Sequence, residues 1–576
     1  MSLTGAMQIA RSGLTAAQLG IQLTGNNIAN VGTPGYSRQS ASLIPQRGDG
    51  NSAWIGAGVL VRDIRRQVDG ALQSRLWGST SDFAAAQTRH NMLSQVEAAL
   101  GELGDNDLSS ELSGFFRVWS ERANQTRSSA AVIQQGDKLA EFVRRLRSDL
   151  VDQRRQGDAQ LGAGVERANQ LLSEVAQVNR AISDAEIGGQ TANTLRDQRD
   201  QLVTELSTLL DVTLVDRGSE GVDVLVGSTP VVLGGTSRGL ELRRQNINGE
   251  STLSLATRVD GTQLTPSSGL VGGLLASRTQ TLDATIDTLD SLAGQLIYEV
   301  NKLHATAANT TLMRQTSGYV KLQSSERGLA LNDPANQTMA NLPFTPVNGG
   351  FLVHVRETGS TSMRSIRINI DLDGINAAGS PGYGDDTSLE DIRDAINAIA
   401  GVGASITPDG RLSVAADDGF EFGFAEDTSG VLAALGVNAY FTGTDASDIR
   451  VRQDMLSDSS LLMTGRIVDG TLVENAAALD VAALQEQALA SLNGRTLPGV
   501  WRDAASAVGT RVAAARTAAQ AAGVVMESLN AQRDAVSGVS IDEESINLIS
   551  FQRQYQGSAK VISVADELTQ TLLSLI

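Results

Sequence analysis

The chain has 576 residues, of which 41% are hydrophobic and 19% are charged, and its formal net charge is −19. This length exceeds what one core supports, so roughly two to four domains are expected, and the acidic balance disfavours nucleic acid and anionic membranes as partners. No cysteine is present, which excludes disulfides, thiolate metal sites and thiol nucleophiles.

The first segment has the residue spacing of a helix that packs along one side. Apolar and small residues recur at alternating steps of four and three from Leu3 to Ile28, a heptad pattern roughly 40 Å long. The recurring residues are Leu3, Met7, Ala10, Leu14, Ala17, Ile21, Thr24 and Ile28. Because several are small, this helix buries little area per turn and needs a partner. The segment also lacks the basic and apolar regions of a secretory signal.

The stretch NNIANVGTPGYSRQ, residues 26–39, ends this helix. Gly32 is expected to adopt the left-handed conformation after the last turn, and Pro34 denies the helix an amide. Gly35 lets the chain turn, and Tyr36 can pack its ring while its hydroxyl stays polar. The polar and turn-forming positions of this joint are Asn26, Asn27, Asn30, Pro34, Gly35 and Tyr36.

The middle of the chain is predicted to be helical, then β-rich, then helical again. Residues 68–210 are largely helix-forming, and residues 211–268 form short alternating runs broken by Gly, Asn-Gly and Asp-Gly turns. Helix returns at 277–304. An insert at 325–452 reads as strands with one short helix, and alanine-rich helix then continues to about 535.

The insert contains three recognisable elements. SIRINID alternates its isoleucines on one face, which predicts a strand. SLEDIRDAINAI is predicted to be a capped helix, and SITPDGRLSV to be a hairpin around Pro408, Asp409 and Gly410.

The last segment looks like the partner of the first. SIDEES supplies a start signal, with Ser540 as the N-cap and Glu543 at the capping-box position. A seam of mostly apolar residues then runs at steps of three and four from Leu548 to Ile576, and Val561, Leu568 and Leu575 add a second stripe. An antiparallel pair within one chain would explain one stripe. Two stripes favour packing between chains as well.

The predicted fold class is mainly α with inserted β domains (α+β), in an elongated multi-domain chain whose terminal helices pair like a coiled coil. Residues 1–38 and 540–576 are predicted to form the terminal helical domain. A helical-bundle domain takes 39–324 and 453–539, and 325–452 forms a β-rich outer insertion.

The sequence contains no complete catalytic or cofactor-binding motif among those considered. None of the histidines has a His or acidic partner at metal-ligand spacing, so structural roles are expected. Gly56 and Gly58 begin a dinucleotide fingerprint, but Val61 stands in the third glycine position. The histidines are His90, His304 and His354.

A calcium-loop motif also fails. NIDLDG carries Asn369, Asp371, Asp373 and Gly374, but the twelfth position is Ser380 instead of a bidentate Glu, and strands flank the motif. We therefore predict no enzyme, no cofactor and no metal site.

Both chain ends resemble one protein family. GNNIANVGTPGYSRQ is similar to the N-terminal signature of the flagellar axial proteins (rod, hook and hook-associated), and SINLISFQRQYQGSAKVISVADELTQTLLSLI to their C-terminal signature. ANTLRDQRDQLVTELSTLLDVTLV and the helix-forming stretch from Gly269 to His304 resemble inner helices of the hook-associated members. SLEDIRDAINAI with its hairpin resembles a small module of flagellin and hook-associated proteins.

The resemblance implies a structural subunit at the hook–filament junction, exported unfolded by the flagellar type III apparatus without a cleaved signal peptide. The implied partners are a ring of like subunits, hook protein, a second junction protein (hook-associated protein 3) and an export chaperone on the C-terminal helix, with no nucleic acid or membrane. The N-terminal assembly residues are Leu3, Met7, Leu14, Ile21, Asn26, Asn27, Ile28, Asn30, Pro34, Gly35 and Tyr36. The C-terminal ones are Leu548, Phe551, Gln552, Tyr555, Ile562, Leu568, Leu572 and Ile576.

Three alternatives stay open at this point. The nearest is hook protein or another axial protein. A secreted adhesin or enzyme that carries axial-type termini is more remote, and a cytosolic coiled-coil scaffold is the third.

Overall fold

The structure, a computed structural model, describes residues 3–47, 56–101, 107–218, 221–247 and 250–574. Residue contacts divide the chain into two compact units, which we call unit 1 and unit 2. Unit 1 comprises residues 1–92, 156–279 and 513–576, and unit 2 comprises residues 93–155 and 280–512. Both chain ends therefore belong to unit 1. The finer division into three domains stays a prediction.

Unit 1 contains the paired terminal helices. Its helices are α1 (Leu3–Ala29), α5 (Asn193–Leu209), α6 (Gly269–Ser277) and α14 (Ile541–Ser574). Three long helices contribute residues to both units: α2 (Gly70–Leu100), α4 (Ser129–Glu186) and α13 (Leu497–Ser537). The predicted terminal helices and their pairing are confirmed, because α1 packs against α14.

The β-rich segment predicted at 211–268 is also in unit 1 and is confirmed. It forms two antiparallel sheets, ordered β3-β4-β5-β6 and β7-β8-β9. Their strands are β3 (Val212–Asp216), β4 (Val222–Val226), β5 (Thr229–Leu233), β6 (Thr236–Ser237), β7 (Leu240–Ile247), β8 (Glu250–Thr257) and β9 (Gln263–Leu264). A hairpin that sequence reasoning missed joins β1 (Gln39–Gln46) to β2 (Gly58–Arg66).

Helix α4 has a buried heptad stripe in the part that belongs to unit 1 and contacts the first of these sheets at Asn179. One position in the stripe is polar: Asn179 is buried, and its Nδ2 donates to the carbonyls of Val222 and Gly234, both at 2.8 Å. The amide thus satisfies carbonyls that the sheet leaves unpaired. The apolar members are Leu161, Val165, Ala168, Leu172, Val175 and Ile182.

The described residues of unit 2 combine helices with four small sheets. Its helices are α3 (Leu108–Ala123), α7 (Ala284–Ala305), α8 (Gln337–Ala340), α9 (Leu389–Asn397), α10 (Val431–Leu435), α11 (Gln453–Ser457) and α12 (Ala476–Ala483). The sheets are ordered β10-β19-β20, β11-β15-β14, β13-β12-β16 and β17-β18. A π-helical segment, Arg278–Asp283, separates α6 from α7.

The strands of unit 2 are short, apart from the pair that forms the longest ladder, β12 and β13. They are β10 (Ala307–Ala308), β11 (Gln315–Ser317), β12 (Gly349–Glu357), β13 (Met363–Ile370), β14 (Val402–Ile406), β15 (Leu412–Ala416), β16 (Phe420–Ala425), β17 (Phe441–Thr442), β18 (Arg450–Val451), β19 (Gly465–Val468) and β20 (Thr471–Val473). The predicted mixture of α and β domains is confirmed.

An aromatic cluster forms the core of unit 2. Trp119, Phe115 and Tyr440 are fully buried, and the Trp119 and Tyr440 ring centroids lie 5.4 Å apart in an edge-to-face arrangement. The Tyr440 hydroxyl donates to the carbonyl of Val132 at 2.8 Å. A Cβ on Gly136 would lie 2.0 Å from that hydroxyl, so only glycine leaves room for it.

The insert contains the predicted elements and some that were missed. A complete capping box between Ser388 and Asp391 starts α9, and Gly410 turns the predicted hairpin with φ of +89°. The expectation of one short helix is wrong, because α8 and α10 also lie within 325–452. The sheet that contains β14 and β15 also includes β11, which precedes residue 325. Strand β11 pairs with the edge of β15 that β14 leaves open.

Two of the three histidines pack inside unit 2. His304 is buried with its Nδ1 2.7 Å from the carbonyl of Asn438, and burial lowers its pKa to about 4. His354 is buried on β12 with its Nδ1 2.6 Å from the Ser365 hydroxyl. Among the described residues, no helix has both the length and the apolar character needed to cross a bilayer.

Candidate assembly surface

Helices α1 and α14 pack antiparallel in a heptad register. Asn27 hydrogen-bonds Glu544, Gly20 faces the Phe551 ring, and Gly13 faces the Ser558 hydroxyl. These contacts step by seven residues along both helices in opposite directions, which is the repeat of a coiled coil. We call this interface the terminal seam.

Small residues of α1 bring the two helices close together. A Cβ on Gly20 would lie 2.5 Å from the Phe551 ring, and one on Gly13 would lie 2.9 Å from Ser558 Oγ. Ordinary Cβ contacts begin near 3.4–4 Å. The absence of a Cβ at Gly20 and Gly13 therefore makes room for the side chains of Phe551 and Ser558. The buried residues of α1 are Ala10, Ala16, Ala17, Gly20, Thr24 and Asn27.

The terminal seam is rotated relative to the predicted one. Ala10, Ala17 and Thr24 belong to both, but the larger predicted residues are only half-buried and flank the contact. Those flanking residues are Leu3, Met7, Leu14, Ile21 and Ile28. The missed positions carried no hydrophobic signal, because glycine and asparagine are not apolar.

Helix α14 uses one face for the terminal seam and leaves another uncovered. Leu548, Phe551 and Ile562 are half-buried, and Ala565 is buried. The predicted residues Gln552, Tyr555, Leu568 and Leu572 are exposed, and Ile576 lies outside the described residues.

The uncovered face carries an apolar stripe, which we call the free stripe. Its side chains are between 41% and 68% exposed, although a single chain could have placed polar residues there. Its members are Ile546, Ile549, Val561, Val564, Leu568 and Leu572.

A type II turn forms the joint after α1. The Tyr36 amide donates to the Thr33 carbonyl at 3.2 Å, with Pro34 and Gly35 as the central residues. Gly35 has φ of +80°, as the third position of this turn requires. The expectation for Gly32 is wrong, because the left-handed residue is Gly35.

The buried amide of Asn27 connects the joint to α14. Its Nδ2 donates to the Gln39 carbonyl at 3.0 Å and to Glu544 Oε2 at 3.1 Å. Its Oδ1 accepts from the Tyr36 hydroxyl at 2.8 Å and from the Gln39 amide at 3.1 Å. All four hydrogen-bonding positions of the side chain are used.

Arg38 forms ion pairs with two glutamates of α14 beside Asn27. Arg38 contacts Glu544 Oε1 at 2.7 Å and Glu543 Oε2 at 2.8 Å, and the Glu544 side chain is only 2% exposed. Burial and the carboxylates of Asp197 and Glu544 raise the pKa of Tyr36 to about 12, so its hydroxyl stays protonated as a donor.

Sequence reasoning missed Arg38, Gln39 and Glu544. Glu543 was expected to cap α14 with Ser540, and its amide does face Ser540 Oγ at 3.5 Å, but its carboxylate turns to Arg38. The only signal for this network was the adjacency of SRQ to the turn and of EE to the helix start.

The other asparagines of the joint act locally. Asn30 Nδ2 donates to the Asn26 carbonyl at 2.9 Å, and Thr33 Oγ1 donates to Asn30 Oδ1 at 3.2 Å. Pro34 is exposed, which leaves its surface available to a neighbour.

Four segments of the chain match known families. Residues 93–315 match "Flagellar hook-associated protein FlgK helical domain", and residues 382–418 match "Flagellin hook IN motif". Residues 7–36 match "Flagella basal body rod protein", and residues 532–575 match "Flagellar basal body rod FlgEFG protein C-terminal". The terminal seam and its joint thus lie in the two rod-protein matches.

Two relatives that match over nearly the full length are both flagellar hook-associated protein 1. The chain is 25% identical to flagellar hook-associated protein 1 of Escherichia coli (strain K12) over 98% of each chain. It is 23% identical to that of Bacillus subtilis (strain 168), over 99% of this chain and 97% of the relative. A solved structure, the flagellar hook junction protein FlgK from Burkholderia pseudomallei, aligns with a TM-score of 0.47 and 16% identity, over 81% of this chain and 100% of that one. The chain is thus similar over nearly its full length to flagellar hook-associated protein 1, and its residues 93–315 match the helical domain of that protein.

Proposed function

We propose that this protein is a structural subunit of the bacterial flagellum that joins hook to filament by assembling with copies of itself. The relatives are flagellar hook-associated proteins 1 over nearly the full length of the chain. The role we assign is mechanical, with no catalytic step. Hook protein or another axial protein is the second candidate, supported by the rod-protein matches at both ends.

The free stripe carries the proposal. Fully burying a Leu, Ile or Val contributes about 1.5–3 kcal/mol, so covering half-exposed side chains contributes roughly 1 kcal/mol each. Six such residues on one helix supply several kcal/mol per subunit before the cost of ordering. A neighbouring α1 or α14 is the natural cover, because its apolar residues repeat at the same spacing.

The finer parts of the proposal concern partners and place. We assign a ring of like subunits, hook protein on one side, hook-associated protein 3 on the other, and an export chaperone on α14 before assembly. The protein would be extracellular, on the flagellum, after export. Residues 1–38 and 540–576 would make the assembly contacts, 39–324 and 453–539 would form the supporting helical domain, and 325–452 would be the outer insertion. Support comes from the resemblance of both chain ends to axial proteins.

A matched pair of substitutions tests the assembly role. Ile546→Glu charges a free-stripe residue that is 68% exposed, and Ile187→Glu charges a residue that is 84% exposed outside the terminal helices. Both should leave the free energy of unfolding within about 0.5 kcal/mol, because neither side chain is in a core. We expect Ile546→Glu alone to abolish motility and self-association.

Deletion of residues 545–576 tests the place of the protein. Cells with intact hooks, no filament and flagellin shed into the medium would support the junction role. Loss of the hook itself would instead favour the hook-protein alternative, and normal motility would refute both.

A further inference from the structure

Three carboxylates lie close together within the loop that connects β13 to α9. One oxygen from each of Asp371, Asp373 and Asp386 lies within 4.8 Å of the other two. No ion pair among the residues that the structure describes involves any of them, whereas neighbouring Arg393 pairs with Glu390 and Asp394. Mutual repulsion in this group is therefore uncompensated by the chain's own cations.

One carboxylate of this group has a buried oxygen without a hydrogen-bond partner. Asp386 is only 5% exposed, and its Oδ1 has no hydrogen-bond partner among the described residues. Its Oδ2 accepts from Asn332 Nδ2 at 2.6 Å and from the Gly374 amide at 3.0 Å. The Oδ1 of Asn332, whose Nδ2 makes that bond, is likewise buried without a partner among the described residues. Buried acceptors without partners on two residues in contact are costly unless a cation takes their lone pairs.

We propose that Asp371, Asp373 and Asp386 form a calcium site. Two oxygens bound to one Ca²⁺ at 2.3–2.6 Å lie at most about 5 Å apart, which fits this spacing. All candidate ligands are oxygens, the preferred donors of hard cations, and the exposed Asp371 and Asp373 leave room for coordinating water. Asn332 Oδ1 is a further candidate ligand.

The proposed site differs from the EF-hand loop that the sequence analysis excluded. The twelfth position of NIDLDG is still Ser380, and the third carboxylate comes from Asp386, after the loop has returned. The return is fixed by two hydrogen bonds between the residues flanking it: the Asp371 amide donates to Thr387 Oγ1 at 2.8 Å, and the Thr387 amide to the Asp371 carbonyl at 2.7 Å. The cation would clamp the end of β13 to the residues just before α9.

Calorimetric titration of the full chain with CaCl₂, after chelation, tests this proposal. We expect one saturable site per chain, with a dissociation constant of roughly 10⁻⁴–10⁻³ M, as in extracellular calcium modules. Asp371→Asn with Asp373→Asn should weaken binding at least about tenfold, and these exposed residues should not be needed for folding. Asp385→Asn is the control for loss of charge, because it removes a carboxylate from the same loop that is not a proposed ligand. It should bind calcium as the unmodified chain does.

Protection of the loop supplies a second readout. Calcium should slow amide exchange at residues 374–385 in the unmodified chain and in Asp385→Asn, but not in the double variant. No saturable heat up to 10 mM CaCl₂, equal binding by the double variant, or equal affinity for MgCl₂ would each overturn the proposal.

Discussion

Adding one methyl group to Gly20 should push the two terminal helices apart. The new Cβ in Gly20→Ala would lie 2.5, 2.6 and 2.7 Å from three ring carbons of Phe551. The ring must retreat by about 1 Å to restore ordinary contact, and overpacking of this kind costs about 1–3 kcal/mol. Alanine in place of glycine also favours a helix by about 0.5–1 kcal/mol, so the net loss is smaller than the overpacking cost.

Gly25→Ala on the same helix isolates the overpacking cost. A Cβ on Gly25 would have nothing within 4 Å, so this variant gains the helix-forming term alone. The two variants should therefore differ by about 1–3 kcal/mol, with Gly25→Ala the more stable.

Amide exchange of α1 in the full chain measures this difference, because it reports the opening of the helix pair separately from the rest of the molecule. A double-mutant cycle with Phe551→Ala locates the cause: once the ring is gone, Gly20→Ala should stabilise α1 as Gly25→Ala does. Equal protection of α1 in the two single variants would refute the close approach of the helices.

Three further predictions concern the joint and the core of unit 2. Asn27→Asp places a second carboxylate against the buried one of Glu544 and should lower the free energy of unfolding by about 2–4 kcal/mol at pH 7, measured with urea. The control Asn26→Asp, on the exposed side, should lower it by under about 0.5 kcal/mol. Gly35→Ala should cost about 1–2 kcal/mol because φ is +80°, whereas Gly32→Ala should be neutral; equal effects would contradict the turn. Burial holds the pKa of His304 at about 4, so the unfolded chain binds the extra proton and stability falls as pH drops from about 6.5 to about 4. The loss should reach about 3 kcal/mol, and a parallel pH profile in His304→Gln would refute it.

Helix α14 has one face that packs against α1 and another apolar face that is exposed. One face contacts α1 through half-buried residues such as Phe551, while the free stripe exposes residues such as Ile546 and Leu568. A monomer gains no stability from the free stripe, whereas the assembly that we propose would bury it.

Much of the secondary structure followed from local pattern. The heptad steps predicted α1 and α14, the Ser-x-x-Asp start predicted α9, and Pro408 to Gly410 predicted the β14–β15 hairpin. These elements depend on residues close together in the chain, so side-chain periodicity, capping and turn propensity suffice.

The sequence by itself determined that two helices at the chain ends would pair, and that a turn rich in asparagine and glycine would follow the first. The tertiary structure alone decided which face was used: Gly13, Gly20 and Asn27 point into the seam because they fit the partner helix, and no hydrophobicity pattern marks them. It also decided the contact of Asn27 with Glu544, which lie 517 positions apart. Spacing along a chain fixes a helical face only approximately. Contacts between distant residues are set by packing and by the pairing of buried polar groups, and these exist only after the chain has folded.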